Sequence, residues 1–195
     1  MRNPAAEIHC IVIGVSAGGF EALNLLITQL PEKFNYPIAI VQHRSADNDG
    51  YLTQHLNINS QINVKDVVDK EPICPGIVYI APADYHLLIE RGAYFSLSRD
   101  DKVNYSRPSI DVLFESAADV YRQACLGIIL TGKNADGAMG LAKVTATGGT
   151  AIVEDPETAK ESAMPNAAIN KVPSATVLEL SDIGRYLMSL QQSEK

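Results

Sequence analysis

Cysteine is scarce here and scattered: Cys10, Cys74 and Cys125 are the only three, far apart along the chain. That spacing forms no CxxC pair and no zinc signature, and an odd count fits reduced thiols in the cytosol. Cys10 and Cys125 sit in or beside apolar runs, where core packing is their expected role. Long apolar runs are also missing. None approaches the roughly 18 residues needed to span a bilayer, and the opening MRNPAAEIHC lacks the apolar core of a signal peptide. Positive charge is in deficit, with 16 Lys and Arg against 23 Asp and Glu for a net charge of −7. With no Lys/Arg stripe, nucleic acid is a poor partner. No GxxxxGK[ST] loop, internal repeat or low-complexity tract occurs. These absences point to a cytoplasmic protein without membrane insertion or a zinc signature.

What is present supports a packed core. Hydrophobic residues make up 46% and charged residues 20% of 195 positions, enough for one domain over 1–195 with its core at about 7–190. The stretch from Ile8 to Glu21, IHCIVIGVSAGGFE, organises the rest. Its unbroken apolar run suits a strand covered on both faces. Gly14, Gly18 and Gly19 then turn the chain into a helix. Ser16 is thereby presented at a strand's carboxyl end and a helix's amino end, where free N–H groups and the helix dipole favour an anion or a nucleophile.

Further along, the first helix carries Phe20, Leu23, Ile27 and Leu30 on one face and stops at Pro31. A strand over 37–41 runs into Gln42-His43-Arg44. A short helix through Leu52 to Leu56 follows, then strands over 62–68 and 76–80. His86 to Glu90 and Tyr94 to Leu97 read as a β-hairpin. A helix starts at about Pro108, and a buried strand, 126–130, ends in TGKNADG. A helix to about Thr147, a strand over 149–153 and a last helix capped by Ser181 or Asp182 complete the chain. Alternating strands and helices predict an α/β fold: a doubly wound, mostly parallel sheet flanked by helices, with an antiparallel hairpin insertion.

Ligands of such sheets sit beyond the carboxyl ends of the strands. Ser16, His43 and Asp136 each follow a different strand end, as do Asp84, Glu154 and Asp155. A serine, a histidine and a carboxylate on one rim are the parts of an acyl-transfer triad. Each also has a structural alternative: Ser16 or Asp136 as a helix cap, His43 as a satisfied core histidine. Composition does not choose Asp136 over Asp84 or Asp155. GVSAG matches the nucleophile elbow, but the usual α/β-hydrolase places its histidine last, and here His86 is the final one. A dinucleotide site fares worse. The middle glycine of GxGxxG is replaced by Ser16, and the second strand ends in Gln42-His43 instead of an acid.

Several blocks together give the chain a family resemblance: IGVSAGGFEAL, IVQHR, YIAPADYHLLIE, RPSIDVLFESAA, ILTGKNADGAMGL and EDPETAKESAMPNAAI, in that order. It resembles the catalytic domain of the chemotaxis protein-glutamate methylesterases (CheB-type). The resemblance implies a parallel α/β sheet with a hairpin and a triad of Ser16, His43 and Asp136. It implies hydrolysis of glutamate methyl esters on the cytoplasmic helices of chemoreceptors or a related signalling protein, with deamidation of receptor glutamines as a companion activity. Backbone N–H groups of Ala17 and Lys133 would hold the oxyanion. Arg44 and Asn134 would lie on loops near the substrate, His86 is expected either near the site or in a structural role, and no metal or cofactor is implied.

Departures from the family pattern fall on the loops. TGMGxDG reads TGKNADG here, putting Lys133 and Asn134 beside the site, and Arg44-Ser45-Ala46-Asp47 replaces a Met-Pro-Pro segment. The sequence starts at the first catalytic strand, so control by a receiver domain is expected from a separate receiver or kinase partner. Two other functions fit the same pattern: a non-catalytic signalling module of this fold, and a carboxylesterase with another substrate. Arg107 and Asp111 are expected to tie loop to helix, His9 and His55 to be solvated or structural, and the closing QQSEK to fray.

Overall fold

The computed structural model describes residues 8–43 and 50–191. In chain order the elements are β1 (Cys10–Val15), α1 (Gly19–Ile27), β2 (Ile38–Gln42), α2 (Tyr51–Asn59), β3 (Asn63–Asp66), β4 (Ile77–Ile80), β5 (His86–Glu90) and β6 (Tyr94–Ser98). There follow α3 (Ile110–Tyr121), β7 (Cys125–Ile129), α4 (Ala138–Ala146), β8 (Thr150–Glu154), α5 (Ala163–Lys171), β9 (Thr176–Leu178) and α6 (Leu180–Leu190). Seven strands make one sheet in the order β3-β4-β2-β1-β7-β8-β9, and every neighbouring pair is parallel. β5 and β6 pair antiparallel as a separate hairpin.

All six side chains of β1 are buried, and their alternation divides the core. Ile11, Ile13 and Val15 pack with Leu23 and Leu26 of α1, Leu56 of α2 and Leu187 of α6. Cys10 and Val12 face the other way, onto Leu113 and Phe114 of α3, Leu141 of α4 and Phe95 of the hairpin. A strand covered on both faces gains nothing from polar residues at alternate positions, so its sequence is continuously apolar. Each fully buried Leu or Ile contributes about 1.5–3 kcal/mol relative to exposure.

The chain moves outward from β1 through β2 to β4 and β3, then returns to β7 on the other side. The direction of winding therefore switches between β1 and β7, and the crevice at the carboxyl ends of those strands is the expected ligand site. Among the described residues, no helix is long and apolar enough to cross a membrane.

Several expectations are corrected. α1 ends at Ile27, where Thr28 turns its N–H and hydroxyl onto Asn24 O, although Leu30 beyond it remains buried. Glu179 caps α6, so Ser181 and Asp182 lie inside its first turn. Of the closing QQSEK, Gln191 is held by Asn35 N–H at 2.9 Å and by Lys33 O at 2.7 Å, and residues 192–195 lie outside the described residues. α5 and β9 were not legible as elements. α5 buries only Met164, Pro165 and Ala168, and two of the three β9 residues are exposed, so neither carries an apolar period.

Candidate active site

Three neighbouring strands, β2, β1 and β7, end in the residues that matter. Ser16 follows β1 in a turn closed by Gly19 N–H donating to Ser16 O at 2.9 Å. Gly18, with φ of 83°, caps α1 in a conformation that a side chain rarely adopts. Ser16 N–H donates to Thr131 O beyond β7 at 2.9 Å. A Cβ on Gly132 would lie 2.9 Å from the Ser16 Cβ. Only glycine lets the β7 turn close this tightly on the serine.

His43 lies beside Ser16. The β1–β2 register ends with Val15 opposite Gln42, and His43 N–H donates to Val15 O at 3.1 Å. Ser16 and His43 each come directly after one of these two neighbouring strands, so both leave the sheet at the same rim. His43 Nε2 lies 2.8 Å from Asp136 Oδ2.

Asp136 is fully buried and receives five donors. His43 and the Ile110 N–H bond Oδ2; Ser109 Oγ, the Asp111 N–H and Asn104 Nδ2 bond Oδ1. Burial alone would raise its pKa. The bonds from His43, Asn104, Ile110 and Ser109 outweigh that and hold the carboxyl below its usual range. Neighbouring Asp111 is pushed up instead, by burial and by the Asp136 charge, against the bond from the Gly140 N–H. The rival acids are occupied elsewhere: Asp84 pairs with Arg107 at 2.7 Å, Glu154 accepts the Thr131 N–H at 2.8 Å, and Asp155 accepts the Glu157 N–H at 2.9 Å.

An ionised Asp136 on Nε2 places the imidazole proton there, leaving the lone pair on Nδ1. Asn134 Nδ2 lies 3.4 Å from Nδ1, while Asn134 Oδ1 accepts the Asp136 N–H at 3.2 Å. That backbone donor fixes which end of the amide faces His43. The Ser16 hydroxyl makes no hydrogen bond with the described residues, His43 included. Catalytic hydrogen bonds commonly tighten only when substrate is bound, and rotation about one Ser16 torsion turns its oxygen.

Other expected site residues divide clearly. Neither the Ala17 nor the Lys133 N–H donates to a protein acceptor among the described residues, whereas Gly132 N–H is taken by Glu161 O at 3.0 Å. The Lys133 ammonium pairs with Glu161 at 3.2 Å. Thr131 Oγ1 donates to Ala17 O at 2.8 Å and accepts the Glu161 N–H at 2.9 Å, holding the serine turn from outside. His86 is 2% exposed, with Nε2 on Asp101 O and Nδ1 accepting the Ser109 N–H, the structural one of its two expected places. Arg44 lies outside the described residues. Arg107 ties the loop down through Asp84, Arg99 O and Asp100 O, and His55 bonds Asn24 at 2.9 Å. Cys10 and Cys125 are core residues. Sequence reasoning missed Asn104, Ser109 and Thr131, polar residues in loops with no periodic signal.

Burial raises the pKa of Glu154 against the single bond from Thr131. A carboxyl raised on folding stabilises below its unfolded pKa of about 4.3, and that contribution is lost as pH rises through the folded value. Glu154→Gln keeps an acceptor for Thr131 and removes the charge. Its melting temperature should exceed that of the unsubstituted protein at pH 7–8 and match it near pH 4, as calorimetry across pH would record.

Sequence and fold comparisons agree with one another. The profile of the CheB methylesterase family matches residues 11–187. A Leptospira interrogans protein, provisionally named protein-glutamate methylesterase/protein-glutamine glutaminase, is 48% identical over 185 residues, covering 95% of this chain and 96% of its own. A Thermotoga maritima protein of the same name, without the proviso, is 37% identical over 97% of this chain and 56% of its own length. The crystal structure of the Thermotoga maritima CheB methylesterase catalytic domain superposes with a TM-score of 0.90 at 37% identity, covering 95% of this chain and all of that one.

Proposed function

Because the chain belongs to the CheB methylesterase family, we propose that it hydrolyses γ-glutamyl methyl esters on the cytoplasmic helices of chemoreceptors, or on a related signalling protein, through Ser16, His43 and Asp136. The observation that carries this reading is the 2.8 Å His43–Asp136 bond, made just beyond the strand that pairs with the one leading into Ser16. In the reaction, His43 Nδ1 takes the Ser16 proton as Oγ attacks the ester carbonyl. Asp136 steadies the imidazolium through Nε2. The backbone N–H groups of Ala17 and Lys133 receive the oxyanion, each such donor being worth about 10²–10³ in rate. Methoxide leaves with the proton from His43 as methanol. Water, deprotonated by His43, then cleaves the acyl-enzyme to glutamate and free Ser16.

The same acyl-enzyme forms from a glutamine side chain with ammonia as the leaving group. The double name of the relatives supports that companion reaction. A regulator on a separate chain, a receiver or a kinase, would complete the system in the cytoplasm.

Methanol release from receptor-bearing membranes methylated with a labelled methyl donor tests the reading. Methanol should be released by the unsubstituted protein and not by Ser16→Ala. No methanol at all, or release that survives Ser16→Ala, overturns it.

A further inference from the structure

Val103 and Ser106 exchange backbone hydrogen bonds of 3.2 and 2.9 Å, leaving Asn104 and Tyr105 as a two-residue turn. Both lie in the left-handed region, with φ of 50° and 63°. A turn with two positive φ values favours Asn-Gly. Asn104 conforms. Tyr105 does not: a bulky residue is strained there, and at 97% exposure no packing offsets the strain. Stability alone would select glycine at 105, and a strained exposed residue held by its surroundings points to function.

The turn is fixed from beneath. Asn104 Nδ2 donates to Asp136 Oδ1 at 2.9 Å and to Asp111 Oδ2 at 2.7 Å. Arg107, just beyond the turn, is bonded to Asp84, Arg99 O and Asp100 O. Tyr105 is thus held in a set relation to the acid that orients His43. Met139, a second exposed apolar residue at 53%, precedes Gly140, whose N–H donates to the other Asp111 oxygen at 2.7 Å. Asp111 therefore anchors both the turn that bears Tyr105 and the first turn of α4 that bears Met139.

We propose that Tyr105, aided by Met139, is a specificity-determining contact that receives an apolar side chain of the polypeptide carrying the ester. The inference rests on the esterase reading and adds the feature by which a helical protein segment is told from a small ester. Aromatic rings suit the role, since they offer a large contact face with few torsions to freeze.

The test uses three substrates: p-nitrophenyl acetate, a helical peptide with one γ-glutamyl methyl ester flanked by leucines one turn away, and the same peptide with serines for those leucines. In Tyr105→Gly the preference for the leucine peptide over both other substrates should fall about ten-fold, which is about 1.4 kcal/mol. The change should enter through KM, while the melting temperature rises as the strain is relieved. Tyr105→Phe should keep the preference, and Met139→Ala should lower it in the same sense. An unchanged preference in Tyr105→Gly overturns the inference. So does an equal loss on all three substrates, which would mean that the residue acts through Asp136 geometry. Hydrolysis of p-nitrophenyl acetate that survives Ser16→Ala removes the esterase reading, and this contact with it.

Discussion

Ser16→Ala should lower kcat for ester hydrolysis by a factor on the order of 10⁴–10⁶ and leave the fold untouched. The two halves of that result have separate causes. Alanine keeps the Cβ that abuts Gly132, and the backbone bonds of Ser16 to Thr131 and Gly19 do not involve its side chain. No buried partner loses a hydrogen bond, so stability should change by less than about 0.5 kcal/mol. The oxygen that forms the acyl-enzyme is gone, leaving only what substrate binding and the oxyanion donors provide. Single-turnover hydrolysis paired with thermal melting reads both halves. A large fall in melting temperature would assign Ser16 to structure instead.

Asp136→Asn should cost about 10⁴ in kcat, for a reason visible in the donors around the acid. Ser109 Oγ, the Asp111 N–H and Asn104 Nδ2 all point at Oδ1, so an amide at 136 turns its oxygen there. Its NH₂ then occupies the Oδ2 position and faces the Ile110 N–H and His43 Nε2. A donor opposite Nε2 forces the imidazole proton onto Nδ1, the nitrogen that must accept from Ser16. The base is removed by tautomer alone. The unpaired Ile110 N–H adds a stability loss of about 1–3 kcal/mol, the typical cost of a buried unsatisfied group. Rate and melting temperature should therefore fall together, unlike in Ser16→Ala. Unchanged activity would transfer the orienting role from Asp136 to another group.

The parts of the fold legible in the sequence were those where one physical rule dominates. β1, β2 and β7 are continuously apolar because they are covered on both faces. The hairpin of β5 and β6 alternates across a short turn, and its bounds were read to within a residue. α5 and β9 bury too little for a pattern to exist. At the candidate site, strand ends were enough to bring Ser16, His43 and Asp136 to one rim, but not to choose among the acids. That choice comes from burial and five donors, four of them from a loop and helix start upstream, at Asn104 and at Ser109 to Asp111. Asn104 could not have been singled out, since its importance lies in an amide reaching two carboxylates across a turn. Nor could the use of Nε2, and not Nδ1, on the aspartate be read from residue types.

The central claim is that Ser16 becomes nucleophilic because the Nδ1 of His43 can reach it. Reaction with a fluorophosphonate ester, followed by mass mapping of the modified peptide, tests this most directly. A single adduct is expected on Ser16, forming at least about 10²-fold more slowly in His43→Ala and in Asp136→Asn. An adduct on any other residue, or Ser16 labelling at the same rate without His43, would contradict the account.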